Sequence, residues 1–205
     1  MYKYGLHEEQ IKEMSVISNE HTSSSFPLPM KVKRIAFAGC LCSGKTFSAK
    51  KVKSAISGPT RMLSLTDSIR ELVFENKSFD NVEGYQTIGA LGRTIDPEAW
   101  IKILTKQITQ LHDQTNIIVD DVRYENEIVA LRNMGFTILY MDTMWDIRLR
   151  RIGRVYQGDP PDFTKFISWF THESETQLIR LPVDIFDHVI KDDDDLEAFI
   201  KTIDE

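Results

Sequence analysis

Cysteine is scarce in this 205-residue chain: there are two, Cys40 and Cys42, one residue apart. Two thiols so placed give no disulfide framework and fit a reducing compartment. Long apolar runs are missing too. None reaches eighteen residues, so no membrane span is expected. The N-terminus lacks the apolar stretch of a secretory signal, which makes the cytoplasm the expected location. Excess positive charge is also absent. Lys and Arg number 25 against 31 Asp and Glu, a formal net charge of −6. That argues against a stable nucleic-acid binder. No H-E-x-x-H occurs, and no serine or cysteine hydrolase pattern. His7, His112 and His188 stand isolated, so no transition-metal site is expected. Neither repeats nor a long low-complexity tract appear. What remains is the composition of one ordinary globular domain, 41% hydrophobic and 27% charged.

Against these absences stands one strong motif. Gly39-Cys40-Leu41-Cys42-Ser43-Gly44-Lys45-Thr46 fits G-x-x-x-x-G-K-[ST], the Walker A or P-loop pattern. Such a match arises by chance in only ~1% of chains this long. Its context is also right: Lys33 to Ala38 reads as a short buried strand, and Thr46 to Val52 as a helix. The glycines let backbone N–H groups curl around phosphate oxygens. Lys45 reaches the β- and γ-phosphates, and the Thr46 hydroxyl holds Mg²⁺. A triphosphate and Mg²⁺ are therefore the expected ligands, held by Gly39 to Thr46. Cys40 and Cys42 sit near a helix N-terminus and a lysine, which lowers a thiol pKa and opens a redox hypothesis. The plainer reading is that small residues fill permissive loop positions.

Residues 1–30 read as an N-terminal extension and linker, with a short helix over 7–14. From residue 33 strands and helices alternate. Strands are expected at 33–38, 60–65, 116–120, 136–141 and 186–190. Helices are expected at 45–56, from Thr66 or Asp67 to about 76, from Asp96-Pro97 to about 112, at 125–134, from a Thr143 capping box onward, at 172–180 and from Asp194 or Asp195 onward. Trp100, Ile103, Leu104, Ile108 and Leu111 form the apolar side of the helix that follows Asp96. Residues 77–94 carry Gly84, Gly89 and Gly92 and read as irregular; residues 153–165 read as a loop. The implied fold is α/β: a three-layer P-loop fold with a parallel five-stranded sheet and helices on both faces. Ligands then sit beyond the carboxyl ends of the strands.

Chemistry-bearing residues collect where that architecture would place them. Ile117-Ile118-Val119-Asp120-Asp121 is a strand ending in acid. Asp120 is the first candidate for Mg²⁺, partly through water, with Asp121 the alternative. Arg123 stands at the same sheet edge and can grip a phosphate. Arg148, Arg150, Arg151 and Arg154 share helix faces and suggest an arginine-bearing lid over about 148–170, with Gly153 and Gly158 as hinges. Arg70 and Arg93 can face an acceptor phosphate. Phe74, Phe79, Tyr85 and Trp100 form either a wall for a base or part of the core.

Taken in order, these segments resemble the phage-type deoxynucleoside monophosphate kinases, a branch of the P-loop nucleoside monophosphate kinase superfamily. The resemblance rests on the Walker A and on Leu65-Thr66-Asp67-Ser68-Ile69-Arg70. It continues through Gln86 to Gly89, Arg93, Asp96-Pro97 and Trp100. Asp120 to Glu127, the basic lid helix, His172-Glu173-Ser174-Glu175 and the acidic tail complete it. It implies phosphorylation of a deoxynucleoside monophosphate by ATP, in viral DNA precursor synthesis within a host cytoplasm, by a homodimer. Carried over by position, Lys45, Arg123, Arg148 and Arg151 are catalytic. Asp67, Arg70, Arg93, Trp100, Asp120, Arg123, Glu127 and Glu175 bind the small-molecule nucleotide substrate. The alternatives are a P-loop kinase for another small acceptor, such as dephospho-coenzyme A, and a nucleotide-binding switch or ATPase.

Overall fold

The computed structural model describes residues 31–70, 81–155 and 163–203. The expected extension at 1–30, Phe74, Phe79 and Gly158 lie outside the described residues. Five strands form one sheet: β1 (Arg34–Ala38), β2 (Thr60–Leu63), β3 (Asn116–Val122), β4 (Thr137–Met141) and β5 (His188–Ile190). Every pairing is parallel, in the order β2-β3-β1-β4-β5. The helices are α1 (Lys45–Ala55), α2 (Asn81–Ile95), α3 (Ala99–Thr109), α4 (Glu125–Asn133), α5 (Trp145–Val155), α6 (Phe163–Thr171), α7 (Glu173–Thr176) and α8 (Asp193–Thr202). None among the described residues is long and apolar enough to cross a membrane.

The period of two along the strands sorts the core into two layers. Ile35, Phe37, Ile118 and Leu139 face α1 and α8, meeting Ala49, Val52, Leu196 and Phe199. Ala36, Ala38, Ile117, Val119 and Ile138 face the other way, onto Trp100, Leu104 and Ile108 of α3 and Ile128 and Leu131 of α4. Helices therefore cover both faces, and the architecture is the three-layer parallel α/β fold expected. β1 is central. The chain leaves it for β2 on one side and crosses it again between β3 and β4, so the carboxyl ends of β1 and β3 flank the topological switch point.

Several local expectations are corrected. Residues 81–95 are helical, not irregular, despite Gly84, Gly89 and Gly92. Gly92 is there for packing. A Cβ on Gly92 would lie 2.3 Å from Trp100 Cζ2, and the Gly89 carbonyl accepts the Trp100 indole N–H at 2.9 Å. On α3 the buried residue is Ile101 rather than Ile103, which is exposed. β2 ends at Leu63, where the chain turns toward β3. The helix expected at 172–180 is short α7 and a 3-10 turn at Leu178–Arg180, capped by His172, whose Nδ1 accepts the Ser174 N–H at 3.2 Å; α6 before it was not expected. Thr143 does not close a capping box; its hydroxyl donates to the Ser43 carbonyl at 2.7 Å, tying the chain after β4 to the P-loop. The last helix is capped by Asp192, not by Asp194 or Asp195.

Candidate active site

The glycine-rich loop follows β1 directly, and its glycines are demanded by the backbone. Gly39 has φ 151°, and a Cβ there would lie 2.8 Å from Ser43 Oγ; Gly44 has φ 99°. Cys42, at φ 60°, occupies the left-handed region without being glycine. Lys45 opens α1, whose first-turn N–H groups have no intrahelical acceptors. The Lys45 ammonium donates to the carbonyls of Gly39 at 2.8 Å and Cys40 at 2.7 Å. Burial, and after it the charge of Arg123, pull the Lys45 pKa down to about 7. The two thiols do not behave as their neighbours suggested. Burial pushes both upward, and the Cys40 Sγ–H donates to the Glu175 carbonyl at 3.3 Å. That corrects the lowered-pKa expectation and leaves them as loop fillers.

The two carboxylates of β3 are separated by a bulge. Ala36 pairs with Val119 and Ala38 with Val122, so β3 carries one residue more than β1 across this stretch. Val119 and Val122, three apart, consequently enter the same core layer, which a regular strand forbids. The extra residue aims Asp120 and Asp121 at different neighbours. Asp121 accepts the Ser64 hydroxyl at 2.6 Å and the N–H groups of Leu65 and Thr66 at 2.8 and 2.9 Å. It fastens the turn after β2 to the end of β3. Asp120 instead meets the Thr46 hydroxyl. Burial first, and then the charge of Asp121, raise its pKa. A divalent cation would relieve both causes. A hydroxyl and one carboxylate are the hard oxygen ligands Mg²⁺ takes when substrate phosphates and water complete its shell, so Thr46 and Asp120 fit that ion.

Three arginines stand around the same crevice, each with a carboxylate. Arg123 follows β3, and its guanidinium pairs with Glu175, whose side chain is 1% exposed. Arg93, on the last turn of α2, pairs with buried Glu127 at 2.6 Å and lies 3.8 Å over the Tyr124 ring. Glu127 also accepts the N–H groups of Arg123 at 2.9 Å and Tyr124 at 3.1 Å. It thus caps α4 and sets the backbone that carries Arg123. Arg70 pairs with Asp67 at 3.2 Å and hydrogen-bonds the Tyr85 phenol.

A single cavity of about 740 Å³ joins these groups. Gly44, Lys45, Thr46 and Asp120 line it together with Asp67, Arg70, Tyr85, Arg93, Arg123, Tyr124, His172 and Glu175. Two residues inferred from the family resemblance do not reach it. Trp100 is core, filling the space that Gly92 leaves beside it. Glu127 is buried behind Arg93 and Arg123. Sequence reasoning missed Ser64, the partner of Asp121, and Tyr124, the platform under Arg93; an alternating strand pattern carries no signal for either.

The basic helix α5 divides its arginines. Arg150 pairs with exposed Asp146. Arg151 donates to the Cys42 carbonyl at 3.0 Å, above the P-loop. Arg148 is 5% exposed, with its guanidinium 5.0 Å from the Phe170 ring and 5.5 Å from the Trp145 ring. Its Nε has no hydrogen-bond partner. Burying a cation this way is costly unless an anion answers it. Leu149 and Ile152 of α5 join Phe166, Trp169 and Phe170 of α6 against Val82 and the P-loop residues Leu41 and Cys42. The loop expected at 153–165 is helical at its described ends, 153–155 in α5 and 163–165 in α6.

No family profile matches the chain, and no curated protein matches it. Solved structures resemble it. The Mycobacterium tuberculosis APS kinase in complex with AMPPNP and APS is 17% identical, at TM-score 0.47, over 85% of this chain and 96% of that one. Shikimate kinase from Bacteroides thetaiotaomicron is 12% identical, at TM-score 0.47, over 82% and 94%. A sugar kinase from a Janibacter species is 14% identical, at TM-score 0.47, over 85% and 95%. Likenesses at this level leave function to the geometry of the site.

Proposed function

We propose that this protein is an ATP-dependent phosphotransferase whose acceptor is a deoxynucleoside monophosphate. The observation that carries the reading is the shared cavity. Lys45, Thr46 and Asp120 line the same space as Arg70, Arg93 and Arg123. A hydrolase or switch uses an arginine finger on the transferring phosphate, whereas an acceptor that is itself a phosphate makes use of all three. The nucleotide character of the acceptor rests on the resemblance of the 65–70, 86–100 and 120–127 segments to phage-type deoxynucleoside monophosphate kinases. A homodimer and a role in viral DNA precursor supply belong to the same resemblance.

The chemistry asks little of the protein in proton transfer. The acceptor phosphate oxygen is already anionic when it attacks the γ-phosphorus, and ADP leaves with the electron pair of the broken bond, so no general base is required. The residues supply position and charge. Lys45 lies where it can turn from two loop carbonyls to the transferring group. Arg123, Arg93 and Arg70 hold the acceptor phosphate, each pre-oriented by its carboxylate. Arg148 and Arg151 approach from the helix above the loop. Bound at Thr46 and Asp120, Mg²⁺ would neutralise β- and γ-oxygens. Closure of α5 and α6 over the loop would keep water from the γ-phosphate.

The test is a panel of natural and modified nucleoside and deoxynucleoside monophosphates with ATP and Mg²⁺, read as diphosphate product. One or more deoxynucleotides should stimulate ADP release above the acceptor-free rate. Stimulation only by another acceptor class, such as dephospho-coenzyme A, would replace the substrate assignment while keeping the transfer.

A further inference from the structure

Glu175 has the geometry of an anchor, not of a substrate ligand. Its side chain is 1% exposed and its carboxylate accepts three hydrogen bonds from the protein. Oε1 accepts the Arg123 guanidinium and the Ser174 hydroxyl, the latter at 3.1 Å. Oε2 accepts the N–H of Leu41 inside the P-loop. The Glu175 carbonyl accepts the Cys40 thiol. One residue therefore holds the donor loop at two successive positions and the acceptor arginine at a third. The carboxylate belongs to α7, which continues from α6 with His172 between them. α6 in turn packs through Phe166, Trp169 and Phe170 against α5 and the loop residue Leu41. Any movement of this helix pair therefore reaches the loop and Arg123 through the same side chain.

We infer that Glu175 is a positioning residue that sets the P-loop and Arg123 relative to each other and couples both to α6. The inference rests on the phosphotransferase reading for its kinetic consequences, and on geometry alone for its structural ones. A buried charge-assisted contact shared by two partners favours one arrangement strongly, because leaving either partner unmatched strands a buried donor or a buried charge. Towards the acceptor Glu175 thus acts through Arg123, so Glu175→Gln, which keeps an acceptor for the Leu41 N–H, should cost little further once Arg123 is gone.

Two measurements on the full chain decide this. The first needs no activity: amide hydrogen exchange of the P-loop peptide containing Leu41 in wild type, Glu175→Gln and Glu175→Ala. Glu175→Gln keeps the shape and one acceptor oxygen; Glu175→Ala should speed exchange about tenfold or more, with Glu175→Gln between. Equal exchange in all three would overturn the anchor. The second is a double-mutant cycle on kcat/KM for the acceptor with Glu175→Gln and Arg123→Ala. Glu175→Gln alone should lower it about 100-fold. Added to Arg123→Ala it should lower it less than about threefold further, with the ATP KM little changed. Independent, multiplicative losses would show that Glu175 meets the substrate itself and overturn the assignment. A wild type inactive with every acceptor would refute the proposed function, while the exchange experiment would still decide the anchor.

Discussion

Asp120 and Asp121 are adjacent, chemically identical and both buried, yet the bulge in β3 gives them opposite consequences on removal. Asp121 accepts three hydrogen bonds, at 2.6, 2.8 and 2.9 Å, two of them from backbone N–H groups of the turn after β2. Bonds to an ionised acceptor are worth about 1.5–3 kcal/mol each and are not fully additive. Asp121→Ala should therefore cost about 4 kcal/mol, a drop in Tm of roughly 8–16 °C for a chain of this size. Asp120 makes one contact, with Thr46, and its pKa is raised, chiefly by burial and then by Asp121. A raised carboxyl pKa means that the native state holds its proton more firmly than the unfolded chain does. Its contribution to stability is then present below the ordinary carboxylate range and lost as pH climbs through the raised value, so at neutral pH the charge is a burden. Asp120→Asn should leave Tm unchanged or raise it, while removing Mg²⁺-dependent turnover by orders of magnitude. Thermal denaturation of both variants, beside Mg²⁺ titrations of phosphotransfer, separates the roles. Equal losses of Tm in the two variants, or full Mg²⁺-dependent activity in Asp120→Asn, would refute the reasoning.

Three further outcomes follow from the same geometry. Lys45 is poised at about pKa 7, and a bound polyanion returns it toward the ordinary lysine range. Between those values the complex holds a proton that the free protein lacks, so ATP binding at pH 8 should take up close to one proton. The uptake should fade toward pH 6 and vanish in Lys45→Met, as read by calorimetry in buffers of different ionisation enthalpy. Gly92→Ala places a Cβ 2.3 Å from Trp100 Cζ2 and should destabilise the fold by about 1–3 kcal/mol, checked by urea denaturation. Cys42→Gly removes a side chain from the left-handed region and should preserve or raise stability by up to ~1 kcal/mol, with ATP affinity retained. A large loss of affinity there would point to a role for the thiol.

Much of this is legible in the sequence alone, and the exceptions have physical causes. The strand–loop–helix of the P-loop was readable because it is a local motif with its own spacing. The buried strands were readable because parallel strands covered on both faces are nearly continuous apolar runs. α2 was not, because Gly84, Gly89 and Gly92 speak locally for a break. Only the distant Trp100, whose ring leaves no room for a Cβ at position 92, explains Gly92 in a helix. The same contact moves Trp100 from the substrate wall to the core. Asp120 and Asp121 could not be told apart by periodicity because the bulge lies between them, and a bulge is invisible to a period of two. Glu127 and Glu175 were singled out through the family resemblance, but what they hold, Arg93, Arg123 and Leu41, depends on elements far apart in the chain.

The central claim is that donor and acceptor share one cavity and that Arg123 belongs to the acceptor side of it. The most direct test follows the label from γ-labelled ATP in the presence of deoxynucleoside monophosphates. The account predicts label in a deoxynucleoside diphosphate, with little free phosphate, and transfer reduced by orders of magnitude in Arg123→Ala and Lys45→Ala although both still fold. Label released only as inorganic phosphate, or transfer near the wild-type rate in Arg123→Ala, would contradict it.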